Sequence, residues 1–156
     1  MAERKASKAT GRRKPKVPTP KPRMPKRAEH SRRVDPSAVV LVETKGSPGK
    51  GGDEGGRAWT IMADGARAGT TFINLIDAPP LGPHASIQIY LNQSNQGRGI
   101  GRVAYRKAAE LSGLDEVYAH MRKINVGSRR AAEEAGFVDA TPAGFRQLIM
   151  RWRRVS

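Results

Sequence analysis

Ser86-Ile-Gln-Ile-Tyr-Leu-Asn-Gln-Ser-Asn-Gln-Gly-Arg-Gly-Ile-Gly-Arg102 is the stretch on which the fold turns. Its first third alternates, with Ile87, Ile89 and Leu91 set against Gln88 and Tyr90, the period of a strand. A polar turn from Asn92 to Asn95 follows, and then glycine at alternate positions, Gly97, Gly99 and Gly101. A helical period starts at once: Ile100, Val103, Ala104, Ala108 and Leu111 share one face. A strand that runs through glycines into a helix makes an anion cradle. The glycines let backbone N–H groups approach a phosphate, and the helix start adds free donors and partial positive charge. Arg98 and Arg102 bring full charges to the same turn.

The turn fits two ligand classes. Gly99, Gly101 and Ala104 match the dinucleotide pattern G-x-G-x-x-A, with Glu116 near the distance of a ribose-binding acid, which would make the protein a nucleotide-dependent oxidoreductase. Gln96, Gly99 and Gly101 match Q-x-x-G-x-G instead.

Charge is unevenly spread along the 156 residues. Residues 1–33 hold 13 Lys/Arg and 2 Asp/Glu, a net of +11, and the remainder holds 16 and 12, a net of +4. Five prolines lie between Pro15 and Pro25, and after Met1 the large apolar residues of this arm are Val17 and Met24. Such a segment cannot bury enough surface to offset its ordering entropy, so a disordered basic arm is expected over 1–33, suited to nonspecific contact with nucleic acid. A single domain is expected over 34–156. The chain has no cysteine, which excludes disulfides and thiolate chemistry, and its three scattered histidines give no metal-site pattern. No apolar run has the length of a membrane span, and the expected setting is soluble and cytoplasmic.

The remaining elements follow in order. Ser37–Thr44 reads as a strand, and the six-glycine segment Lys45–Arg57 as a long mobile loop. Ala58–Ala63 and Ala66–Ile76 read as a hairpin turned at Asp64-Gly65. Asp77–His84 is proline-rich and reads as a turn. Glu116–Met121 is a strand with Tyr118 and His120 on one face. Asn125 caps a helix over Val126–Ala135, Gly136 ends it, and Phe137 and Arg146–Arg153 begin closing strands. The order β-β-β-β-α-β-α-β-β gives an α/β fold, a mixed sheet packed by two helices.

The second helix separates the two phosphate readings. A doubly wound dinucleotide fold needs further β-α units, and the chain after Arg102 does not hold them. It holds Asn125-Val-Gly-Ser-Arg-Arg-Ala-Ala-Glu-Glu-Ala-Gly-Phe137. Together with Gln96–Gly101, this resembles the GCN5-related N-acetyltransferases, and the likeness in motif order runs from Trp59 to Trp152. The resemblance implies acetyl transfer from acetyl-CoA to an amine. It places the pantetheine arm along Ile89, Tyr90 and Leu91, and the pyrophosphate on Gln96, Gly97, Arg98, Gly99, Ile100, Gly101 and Arg102. Asn125 and Ser128 would also face the coenzyme.

Departures from the family pattern accompany the likeness. The tyrosine that the family places seven residues after the asparagine, to protonate the departing thiolate, is here Ala132. A glutamate base would fall near Ala85, where no carboxylate stands. His84 and His120 are the candidate bases. The glycine segment 45–57 replaces helices that wall the acceptor side, so that side is expected to be open. The alternative is a catalytically weakened module of the same fold that binds nucleic acid through its arm. The acceptor itself is not named by any motif.

Overall fold

The computed structural model describes residues 33–155; of the expected arm, only Arg33 lies within them. In chain order the strands are β1 (Val39–Thr44), β2 (Arg57–Ala63), β3 (Ala66–Ala78), β4 (Gly82–Leu91), β5 (Glu116–Met121), β6 (Val138–Asp139) and β7 (Leu148–Arg153). Helix α1 (Ile100–Leu111) joins β4 to β5, and α2 (Val126–Glu134) joins β5 to β6. The strands form one sheet in the order β1-β2-β3-β4-β5-β7-β6. Neighbours are antiparallel except β4 and β5, which run parallel and share one registered pair, Ser86 with Tyr118. The element order is the expected one, and the α/β mixed sheet packed by two helices is the observed architecture.

Both helices lie on one face of the sheet. Alternation sends Ala85, Ile87, Val117, Ala119 and Met121 to that face, where they meet Tyr105, Ala108, Ala109, Ala132 and Ala135 of the helices and Phe137 beyond them. A second cluster sets Val39, Ile61, Ala63 and Ala68 against Ile100, Val103 and Ala104. Alanine at most helix contacts lets the helices settle close to the strands. The carbonyls at the end of α1 are taken by arginines: Arg57 bonds Leu111 O, and Arg154 bonds Glu110 O at 2.8 Å. Cations suit that end of a helix. The opposite face keeps Val40, Val42 and Tyr90 exposed.

Several boundaries differ from the sequence reading, each for a local reason. β1 starts at Val39, because Pro36–Ala38 form a 3-10 turn whose cap, Asp35, accepts from Ser37 N at 2.9 Å. β3 and β4 extend through most of the proline-rich turn, pairing Asp77 with Pro83 and Ala78 with Gly82. Pro83 sits near the strand end, where its missing N–H costs little. Leu111, expected on the buried face of α1, is half exposed, and Tyr105 and Ala109 are buried instead. The glycine segment 45–57 is tied rather than slack. The Asn74 carboxamide accepts from Gly51 N at 2.7 Å and donates to Gly49 O at 2.7 Å, and Asp53 accepts from Gly49 N at 2.8 Å.

Gly69 tests the β3–β4 register. A Cβ there would stand 2.0 Å from the carbonyl oxygen of Tyr90, so no side chain fits without parting the two strands. Gly69→Ala is expected to destabilise the fold by about 1–3 kcal/mol, as overpacking does, and to lower the thermal midpoint by several degrees. An unchanged midpoint in a thermal melt contradicts the register.

Candidate functional site: a cleft between diverging parallel strands

β4 and β5 part after Ser86 and Tyr118, and a cleft of about 840 Å³ opens beside the gap. Ile89 and Leu91 form its strand wall, Gln96, Gly97 and Gly99 to Arg102 one rim, and Asn125, Ser128 and Ala131 at the second helix the other. The glycine rim has the shape that the sequence asks for. Gly99 caps α1 at φ 75°, a left-handed conformation that favours glycine, and a Cβ on it would meet Arg102 Nε at 3.1 Å. The first-turn N–H groups of α1 have no partner within the helix, and Ile100, Gly101 and Arg102 of that turn line the cleft.

Of the residues singled out in the sequence, Ile89, Leu91, Gln96, Gly97, Gly99, Ile100, Gly101, Arg102, Asn125 and Ser128 line this cleft together. Asn125 caps α2 by accepting from Ser128 N at 3.1 Å. Two candidates point elsewhere. The Tyr90 ring stacks on Phe72 on the far face, with centroids 6.0 Å apart, and its hydroxyl donates to Gln88 Oε1. The Arg98 guanidinium reaches Asp64 on the β2–β3 turn at 3.1 Å and Asn95 at 2.9 Å. Glu116, the ribose acid of the dinucleotide reading, does not line the cleft and is bound by Arg153 at 2.8 Å.

Sequence reasoning missed four contributors. Arg33 lines the cleft because Val34 is buried and donates its N–H to Arg98 O at 2.9 Å, which lays the chain across the rim. Glu134 stands among three guanidinium groups, with Arg33 at 3.3 Å, Arg130 at 3.4 Å and Arg102 at 3.8 Å. Tyr105 sends its hydroxyl to Ser128 Oγ at 3.1 Å. Burial holds the Tyr105 phenol above its ordinary pKa, partly offset by that hydrogen bond. The available signal was spacing: Tyr105 follows Gly101 by one helical turn, and Glu134 and Arg130 are one turn apart.

The two candidate histidines meet on the face away from the helices. His84 Nδ1 lies 2.7 Å from Gly82 O, and His84 Nε2 lies 2.8 Å from His120 Nε2. A carbonyl only accepts, so the neutral pair is fixed. His84 carries its proton on Nδ1, His120 donates from Nε2, and His120 Nδ1 keeps its lone pair. Burial, and then the neighbouring charge of His84, pull the His120 pKa below the ordinary 6.5.

A family model for the acetyltransferase (GNAT) domain matches residues 13–138. The chain belongs to the GNAT acetyltransferase family. Solved structures of similar fold include RimJ of Mycobacterium smegmatis in complex with CoA-disulfide, at 20% identity over 63% of this chain and 53% of that one, with a TM-score of 0.52. The microcin C7 self-immunity acetyltransferase MccE, in complex with acetyl-CoA and AMP, is 22% identical over 65% of this chain and 62% of its own, with a TM-score of 0.52. The aminoglycoside acetyltransferase AAC(6')-Ib with coenzyme A is 19% identical over 65% and 68%, with a TM-score of 0.53. These are likenesses of fold, and the chain spans less than two thirds of the length of the first two. No curated protein sequence matches the chain. Among the described residues, no helix is long and apolar enough to cross a membrane, and no three metal-ligating side chains gather.

Glu134 holds Arg33, Arg102 and Arg130 of the rim in ion pairs. Glu134→Gln is expected to raise the affinity of the folded protein for inorganic pyrophosphate severalfold at low salt and to steepen its salt dependence. Titration calorimetry checks this. Unchanged affinity means that the three guanidinium groups do not face the anion space.

Proposed function

We propose that this GNAT domain transfers an acetyl group from acetyl-CoA to an amine. The observation that carries the reading is the opening of β4 from β5 directly beside the glycine rim. Residues on both sides fit such a co-substrate. Gln96 to Gly101 and the start of α1 offer donors for a pyrophosphate, and Ile89 and Leu91 offer strand backbone for a pantetheine amide arm. Asn125 and Ser128 supply side-chain polar groups across the gap. The neighbours solved with coenzyme A or acetyl-CoA support the assignment by fold.

The acceptor amine approaches from the histidine face, which no described helix covers. His120 Nδ1 takes the proton of the attacking amine, and His84 is a positioning residue that holds His120 in the required tautomer through Gly82 O. Backbone N–H groups near Leu91 stabilise the developing oxyanion. The amine attacks the thioester directly, so no covalent enzyme intermediate forms. A general base of this kind is worth about 10²–10⁴-fold in rate.

Two measurements test the reading. Gly99→Glu places an anion in the cradle and is expected to abolish acetyl-CoA binding in calorimetry while the fold persists; retained affinity refutes the cradle. His120→Gln is expected to slow transfer by at least about 10²-fold. The base works only when unprotonated, so the parent rate falls as pH drops through the lowered His120 pKa. Its acid limb is therefore centred below 6.5 and is absent in the variant. A limb that survives in His120→Gln removes the histidine from the reaction. Coenzyme binding with no turnover over a broad amine panel selects the binding-module alternative.

A further inference from the structure

The departing thiolate needs a proton, and the helix position from which the resemblance would lead one to expect it holds Ala132, fully buried and without a polar atom. The described residues of the cleft wall narrow the donors. Arg33, Arg102 and Arg130 gather with Glu134 at the anion rim. Asn125 is committed to capping α2. Ser128 has a hydroxyl far too weakly acidic to act alone. The remaining O–H group that lines the cleft is the phenol of Tyr105.

We propose that Tyr105, on α1, is the acid that protonates the coenzyme thiolate as the acetyl group leaves, with Ser128 as its hydrogen-bonded relay. The proposal rests on the acetyltransferase reading above. Its geometric basis is the fixed position of the phenol. The Tyr105 ring is 4% exposed and packs edge-on to Phe137, with centroids 5.4 Å apart, in the same cluster as Ala132. The small Ala132 leaves room for that ring. The hydroxyl emerges at Ser128, on the α2 face that carries Asn125. A phenol is thus delivered from the first helix to the face of the second that lacks one.

The step balances. The amine nitrogen forms a bond to the acetyl carbon, the carbon–sulfur bond breaks, and the electron pair leaves with sulfur. Sulfur takes the Tyr105 proton, and the phenolate recovers one from the Ser128 hydroxyl and solvent beyond it. The amine proton goes to His120. Burial keeps the phenol protonated at neutral pH.

Tyr105→Phe keeps the ring and removes the hydroxyl. The expected result is a fall of about 10²-fold or more in kcat with acetyl-CoA affinity unchanged. A second readout needs no acceptor. In the parent the phenol donates to the thiolate of bound coenzyme A, so Tyr105→Phe should raise the pH at which that thiol titrates, followed by thiolate absorbance. The exchange variant Tyr105→Ala with Ala132→Tyr moves the phenol to the second helix at equal total side-chain volume and is expected to recover part of the lost rate. A parent that binds no coenzyme A overturns the transferase reading and this assignment with it. A parent that binds it, and a Tyr105→Phe variant with the same rate and thiol titration, overturn the Tyr105 assignment alone.

Discussion

The structure depends on one unfinished pairing. β4 and β5 are the parallel neighbours of an otherwise antiparallel sheet, and a single registered pair, Ser86 with Tyr118, ties them. The other neighbours share at least six registered pairs, with one bulge between Ile61 and Met62 in the β2–β3 ladder, except at the two-residue β6. Buried backbone groups require partners, so a strand left without its neighbour over five residues is a site that an extended polar ligand can complete. β4 can remain there because its other side is fully paired with β3, from Gly69–Leu91 to Ala78–Gly82. The open edge is bought by the long hairpin behind it.

The helices turn that gap into a cleft. α1 leaves β4 through the glycine rim, and α2 begins at the Asn125 cap, so both helix N-termini come to the same end of the sheet. The small residues where they meet hold them close: a Cβ on Gly101 would lie 3.3 Å from the Ala131 Cβ. At the other end of α1, Arg57 and Arg154 bind its last carbonyls. Electrostatics then follow the helix direction, with the positive helix ends at the cleft and arginines at the tail of α1. Arg33 adds to this because Val34 bonds Arg98 O beside the rim, and Glu134 offsets part of the accumulated positive charge.

The two faces of the sheet divide the chemistry. Alternation puts Ile89 and Leu91 toward the helices and the cleft, and His84, Gln88, Tyr90 and His120 toward the uncovered face. The glycine segment 45–57 packs against this second face, where Asn74, the partner of Ser86 on the His84 side of the sheet, bonds Gly49 and Gly51.

The sequence alone determined the element order, the glycine rim, the Asn125 cap and the absence of the usual phenol at position 132. Each is a local signal: a period of two or of 3.6 residues, a positive-φ glycine, a side-chain oxygen at a helix start. Ten of the residues expected at the coenzyme site lie on one cleft because they are close in sequence to those signals. What required the tertiary structure was every relation between distant segments. His84 and His120 are 36 residues apart and meet only because β4 and β5 are neighbours. Arg33 and Glu134 are 101 apart. Tyr105 reads along the chain as one more apolar residue of a helix. Only the packing of α1 on α2 turns its hydroxyl toward Ser128, because side-chain direction in a core is set by the partner helix and not by neighbours in sequence.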